Sequence, residues 1–274
     1  MANIRDLPIV TKSMIRKDLQ HLGVLPGQVV MLHVSTRAMG WVVGGPDIVL
    51  QALLDQLTDK GTLMMLAGWE DCPYDLPDWS LEKQLAYLEE CPPFDPVSSR
   101  ANRNWSILTE YIRTRPGAQR SAHPVESIVA IGPLARSLTE NHNLQYGYGS
   151  GSPFAKFCDA GGKVLVLGAP LYNLALLHYA ECLAKVPNKR VVKYRMPVLR
   201  EGNKVWVDLE EYDTNWAIVN WAGEDYFELI MKEYLSSGKG TSGNVGSAWS
   251  YLFDANDLVN FAVQWMERMF KDLA

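Results

Sequence analysis

Two residues in the stretch LLHYAECLAK, His178 and Glu181, stand three apart where the apolar spacing predicts a helix, so their side chains share one face. A neutral imidazole, with an ordinary pKa near ~6.5, accepts a proton at physiological pH and suits a general base. A carboxylate must then fix its tautomer and stabilise the imidazolium. Glu211 and Asp213, at the end of a predicted strand in VDLEEYDT, are natural suppliers. The same spacing also fits a structural histidine held by a local carboxylate. A metal site built on H-x-x-E needs a second such element, and none is present, so no metal is expected.

A second group of residues suits phosphate chemistry. In MLHVSTR, His33 ends an apolar run, and Ser35, Thr36 and Arg37 open a loop leading to Gly44, Gly45 and a helix start. Hydroxyls, backbone N–H groups and a guanidinium there match a phosphate, and they match an ordinary strand-to-helix turn equally well. GYGSGSP (147–153) resembles a phosphate cradle but follows no clear strand, so the dinucleotide fingerprint fails. Neither GxxxxGK[ST] nor GxSxG occurs, which disfavours nucleotide hydrolysis and a nucleophile elbow. His123, after Arg120 in RSAHP, is extended by Pro124 and fits either a ligand contact or a turn cap. His21 and His142 carry no supporting context. Trp69 and Tyr74 lie among loop acids. Cys72, Cys91, Cys158 and Cys182 form no CxxC pair, and nothing marks Cys182 as an activated thiolate.

These groups need a scaffold. Buried strands are predicted at 28–34, 61–67, 127–132 and 163–169, and a hairpin at 190–199 and 204–212 turning at Glu201-Gly202-Asn203. Helices are predicted from Pro46, at 81–90, 104–114, after the Ser152 N-cap, at 174–183, 216–234 and 256–272. The class is α/β: one domain over 1–274, with a mixed sheet core flanked by helices. The stretches 68–77 and 141–151 are the loops expected to carry function.

The 274 residues carry a formal net charge of -5 with 47% hydrophobic residues, a globular composition. No basic leader and no apolar run of about 18 residues occurs, so a cytoplasmic protein without membrane attachment is expected. The mild acidity disfavours a nucleic-acid partner. The charge is unevenly spread. Residues 70–95 balance to -7, residues 205–228 to -7, and the remainder to +9, concentrated in 100–120 and 185–204. Segments of this kind fit a cation pocket beside an anion site, and they also fit solvated faces.

The runs MLHVSTRAMGWVVGGPDIVLQALLD, GWEDCPYDLP, CPPFDPVSSR, RPGAQRSAHPVESIVAIG, YGYGSGSPFAKF, GGKVLVLGAPL, LLHYAECLAKVPNKR and VDLEEYDT are similar, in order and spacing, to the aminoglycoside 3-N-acetyltransferases. The resemblance implies a fold distinct from the GNAT acetyltransferases, acetyl-CoA as co-substrate, and antibiotic resistance through acetylation of the 3-amine of a 2-deoxystreptamine ring in gentamicin, tobramycin or kanamycin. It implies His178 as the base, Glu211 as its orienting carboxylate, and Asp213 in contact with substrate. Trp69, Glu70, Asp71 and Tyr74 would lie at the aminoglycoside. Ser35, Thr36, Arg37, Arg120, Ser121, His123 and Ser152 would lie at CoA.

Two positions depart from the family pattern: Ala175 stands where many relatives have threonine, and Tyr172 where an acid is common. A monomer or homodimer is expected. An acetyl-CoA-dependent enzyme for a different metabolic amine, or a non-catalytic cation-binding protein, are the alternative classes.

Overall fold

The computed structural model describes residues 7–72, 76–271 and 273. The elements run β1 (Ile9–Val10), α1 (Lys12–Leu22), β2 (Val29–Val34), β3 (Trp41–Val42), α2 (Gly45–Leu57), β4 (Thr62–Leu66), α3 (Leu81–Glu90), α4 (Ile107–Arg113), β5 (Gln119–Arg120) and β6 (Ile128–Ile131). They continue as α5 (Ala135–Thr139), α6 (Pro153–Asp159), β7 (Lys163–Leu167), α7 (Leu176–Leu183), β8 (Val191–Arg200), β9 (Asn203–Tyr212), α8 (Tyr226–Ser236), β10 (Thr241–Val245), β11 (Ala248–Asp254) and α9 (Ala255–Met269).

Continuous apolar runs make strands buried on both faces, and the four strongest form the middle of a seven-stranded mixed sheet ordered β10-β11-β7-β2-β4-β6-β5. β2 lies parallel to β4 and β7, with Met31 opposite both Met64 and Val164. β11 and β6 flank them antiparallel. Alternation along the strands divides the core. Val30, Leu32, Leu63 and Leu165 pack with residues of α1, α2 and α4, while Met31, Met64, Ile128 and Val164 pack with residues of α5 to α9.

This division places the site. From β2 the chain leaves for α2 on one face, and from neighbouring β7 it leaves for α7 on the other, which makes the carboxyl ends of these two strands a topological switch point. Ligands of open α/β sheets bind at such switch points.

The β8–β9 hairpin forms its own sheet, turning through Glu201 at φ 50° and Gly202 at φ 79°, a left-handed pair that suits the strand twist. It is fastened to the loop after α3 by a bridge between Phe94 and Val198 and by Lys204 Nζ, which donates to three carbonyls at the end of α3.

The helix expected over 216–234 begins only at Tyr226. Ala217 adopts φ 92°, which breaks a right-handed helix, and Asp225 supplies the N-cap by accepting from the N–H groups of Phe227 and Glu228. α1 and the β10–β11 hairpin are elements the sequence reading did not anticipate; Gly246 at φ 58° makes the hairpin's turn. Asp272, at the end of the expected last helix, lies outside the described residues. Among the described residues no helix is long and apolar enough to cross a membrane.

Candidate active site

α7 starts just past the end of β7 and carries His178 and Glu181 on one face. His178 Nδ1 lies 2.6 Å from Glu181 Oε2. Glu181 is fully buried, whereas the His178 side chain keeps 22% of its surface. The imidazole is clamped between aromatic rings, Tyr148 at 4.8 Å and Phe227 at 4.9 Å. A charged carboxylate only accepts, so Nδ1 donates and Nε2 is left with its lone pair. Lys189 Nζ, over the Tyr212 ring, donates to the carbonyls of Glu181 and Cys182 and pins the end of α7.

Glu211, expected to orient His178, faces a different partner. It is buried on β9 with its carboxyl against that of Glu126; neither Glu126 oxygen nor Glu211 Oε2 accepts from a donor elsewhere in the protein, His123 Nε2 standing 3.7 Å from Glu126 Oε2. Burial first, and Glu211 second, push the Glu126 carboxyl well above the usual carboxylate range. Gly147 packs directly against this pair: a Cβ there would lie 1.8 Å from Glu126 Oε2. Tyr148 adjoins the carboxylates of Glu126, Glu211 and Glu181, and burial raises its phenol well above the ordinary value. Glu126, Tyr148, Tyr226 and Phe227 are the site residues that sequence reasoning missed. Only Tyr148 lay in a flagged loop.

Several expected contacts to CoA lie inside the protein. Ser121 Oγ bonds the Ile128 N–H and His142 Nδ1, and His142 Nε2 bonds Gly147 O at 2.7 Å. His123 is fully buried, accepting from the Glu126 N–H at Nδ1, and burial holds its pKa well below the usual histidine value. Burial likewise lowers His142 and His33 to about 4. Ser152 caps α6 through the Ala155 N–H. The Arg120 guanidinium donates to Ser99 O, Gly68 O and Ser127 Oγ, and burial brings its pKa down to about 10. These groups spend their polar atoms within the protein.

Ser35, Thr36 and Arg37 remain partly or fully open at the carboxyl end of β2, the strand next to β7, which leads to α7. Beyond them Gly45 opens the thirteen-residue α2, and a Cβ there would meet nothing within 4 Å. Open hydroxyls, a guanidinium and an accessible backbone fit a phosphate-bearing ligand.

On the acid side, Trp69 is buried against Phe94 at 5.7 Å, and Arg103 holds Glu70 below the usual carboxylate range. Asp71 is exposed. Asp213 is buried and paired with Arg190 at 2.7 Å. Tyr74 and Asp75 lie outside the described residues. The 70–95 and 205–228 segments do meet, where Val207 packs against the small apolar cluster that holds Phe94, but Asp208 and Glu210 point away into cross-strand pairs with Arg195 and Lys193. Ala175 is buried at the start of α7, which has no side-chain cap, and Tyr172 is 46% exposed. Burial pushes the Cys182 thiol far up, opposite to what a nucleophilic thiolate requires.

The family described as Aminoglycoside 3-N-acetyltransferase matches residues 31–267. The chain belongs to this family. An aminoglycoside N(3)-acetyltransferase III of Pseudomonas aeruginosa is 51% identical to it over 93% of each chain. A crystal structure of the aminoglycoside acetyltransferase AAC(3)-Xa superposes with a TM-score of 0.92 at 41% identity, covering 96% of this chain and 94% of that one. A binary complex of AAC-IIIb with CoASH superposes at 0.89 and 42% identity, covering 96% and 98%. The mixed sheet with helices on both faces is therefore the architecture of the aminoglycoside 3-N-acetyltransferases, not the GNAT fold.

Proposed function

We propose that the chain transfers the acetyl group of acetyl-CoA to the 3-amine of the 2-deoxystreptamine ring of an aminoglycoside, with His178 as the general base and Glu181 as the carboxylate that holds it. Aminoglycoside 3-N-acetyltransferase activity follows from membership of the family, and the relative bound to CoASH supports acetyl-CoA as co-substrate. The observation that carries the finer reading is the 2.6 Å contact between His178 Nδ1 and the buried Glu181, at the end of the sheet where two parallel strands part.

When bound, acetyl-CoA supplies the acyl group as a thioester. His178 Nε2 takes a proton from the 3-amine as the amine nitrogen forms its bond to the acyl carbon, and it can return the proton to the departing sulfur. Glu181 stabilises the imidazolium in between. Ser35, Thr36 and Arg37 hold the donor's polar groups, while the exposed Asp71 and the Glu126/Glu211 pair, which can exchange its proton for a cation, favour the acceptor's ammonium groups; Glu70 and Asp213 contribute only where an ammonium group displaces Arg103 or Arg190. Both core clusters share one sheet, so the chain acts as one catalytic domain.

The test is a panel of aminoglycosides with acetyl-CoA, thiol release being followed and the product's acetylation site read by NMR. Release with acetylation at the 3-amine is expected. Binding without thiol release on every member of the panel, or acetylation at another nitrogen, contradicts the assignment.

A further inference from the structure

His178 offers a free Nε2 only while Nδ1 keeps its proton, and that requires Glu181 to stay a good acceptor. Glu181 is fully buried, so its charge depends on donors within the protein. His178 supplies one. The other is Tyr226, the first residue of α8, whose hydroxyl donates to Glu181 Oε1 although the two residues are 45 apart in sequence.

Tyr226 cannot easily turn away. It is 7% exposed and packs edge-on against Phe227 at 5.1 Å and Phe270 at 5.2 Å, and Phe227 in turn packs on the His178 ring. Burial and the nearby carboxylate hold its phenol far above the ordinary tyrosine value, so it stays a donor.

We propose that Tyr226 is a positioning residue of the acetyl transfer: by bonding Glu181 it fixes the tautomer of His178 and limits how tightly the His178–Glu181 pair holds a proton. The proposal rests on the reading of His178 as the base. The other titratable groups around the pair are Lys189, Cys182, Asp225, Tyr148 and, beside Tyr148, Glu126 and Glu211. None takes the place of the phenol: Lys189 donates to backbone carbonyls, and Asp225 is committed to the α8 N-cap.

The test is Tyr226→Phe, which keeps the ring and removes the donor. With one donor gone, Glu181 accepts more strongly from His178 Nδ1–H, and the imidazole takes up its second proton, at Nε2, more readily. The acid limb of the kcat/KM profile is expected to move up by about one pH unit, with kcat near neutrality falling about tenfold and KM changing less than about twofold. A ring-fluorinated tyrosine at 226, a stronger donor of the same shape, moves the limb the opposite way. An unmoved limb in Tyr226→Phe, whatever its melting temperature, overturns the proposal. Should that variant not fold, an unmoved limb in the fluorinated protein overturns it instead. Wild-type turnover in His178→Ala would show that the underlying reading fails, separately from any result at Tyr226.

Discussion

Glu181 and the Glu126/Glu211 pair all act electrostatically on Tyr148 and are all buried, yet their bonding is opposite. Both oxygens of Glu181 are occupied, one by His178 and one by Tyr226. In the pair the two carboxyls face each other, and three of the four oxygens accept from no donor elsewhere in the protein. Burial alone therefore does not decide what a carboxyl group does; its donors do. Glu181 has what it needs to carry charge and steady an imidazolium. Glu126 and Glu211 cannot both ionise in contact, so the pair keeps a proton or takes a cation in its place.

Removing the base tests the first side and has the largest expected effect. His178→Ala should lower kcat about 10³-fold while CoA binding, followed by calorimetry, stays near wild type. A loss of less than tenfold would break the contrast, because the satisfied site would then have no special role. A smaller effect tests the second side. The Glu126 carboxyl is raised in the folded state, so the stability it contributes is present below the ordinary carboxylate pKa and is lost as pH rises through the folded-state value. Glu126→Gln cannot ionise and escapes that loss. Its melting temperature should exceed the wild type's by a margin that grows as the pH rises above the ordinary carboxylate range; a margin independent of pH would mean that Glu126 holds no proton. Smaller still is the non-additivity of Glu126→Gln with Glu211→Gln. Either change alone relieves the pair, so the double variant should melt no higher than the better single one, and additive gains would show that the two carboxyls do not interact.

The scaffold was largely legible because its signals are local. The apolar runs at 28–34 and 163–169, the Ser152-Pro153 helix start and the Glu201-Gly202 turn each dictate their own backbone. His178 and Glu181 were visible as one helical face for the same reason. The resemblance assigned the orienting role to Glu211, but the local carboxylate is the one that sits on Nδ1. Nothing near Tyr226 in sequence announces its bond to Glu181, since that bond exists only once α8 packs beside α7. Ser121, His123 and Ser152 look like ligand-binding groups in sequence because polarity is visible there and burial is not. The structure shows their polar atoms already engaged. The alternating residues of β9 explain why the acidic segment overstated its reach: Glu210 pairs outward with Lys193, while Glu211, one residue on, points in.

The central claim is that His178 rests with its proton on Nδ1 and its lone pair on Nε2. The most direct measurement is the ¹⁵N spectrum of histidine-labelled protein near neutral pH, with His178 assigned by its loss in His178→Ala. The account predicts a protonated Nδ1 and an unprotonated Nε2. A resting His178 with the proton on Nε2 and a bare Nδ1 facing Glu181 would contradict it.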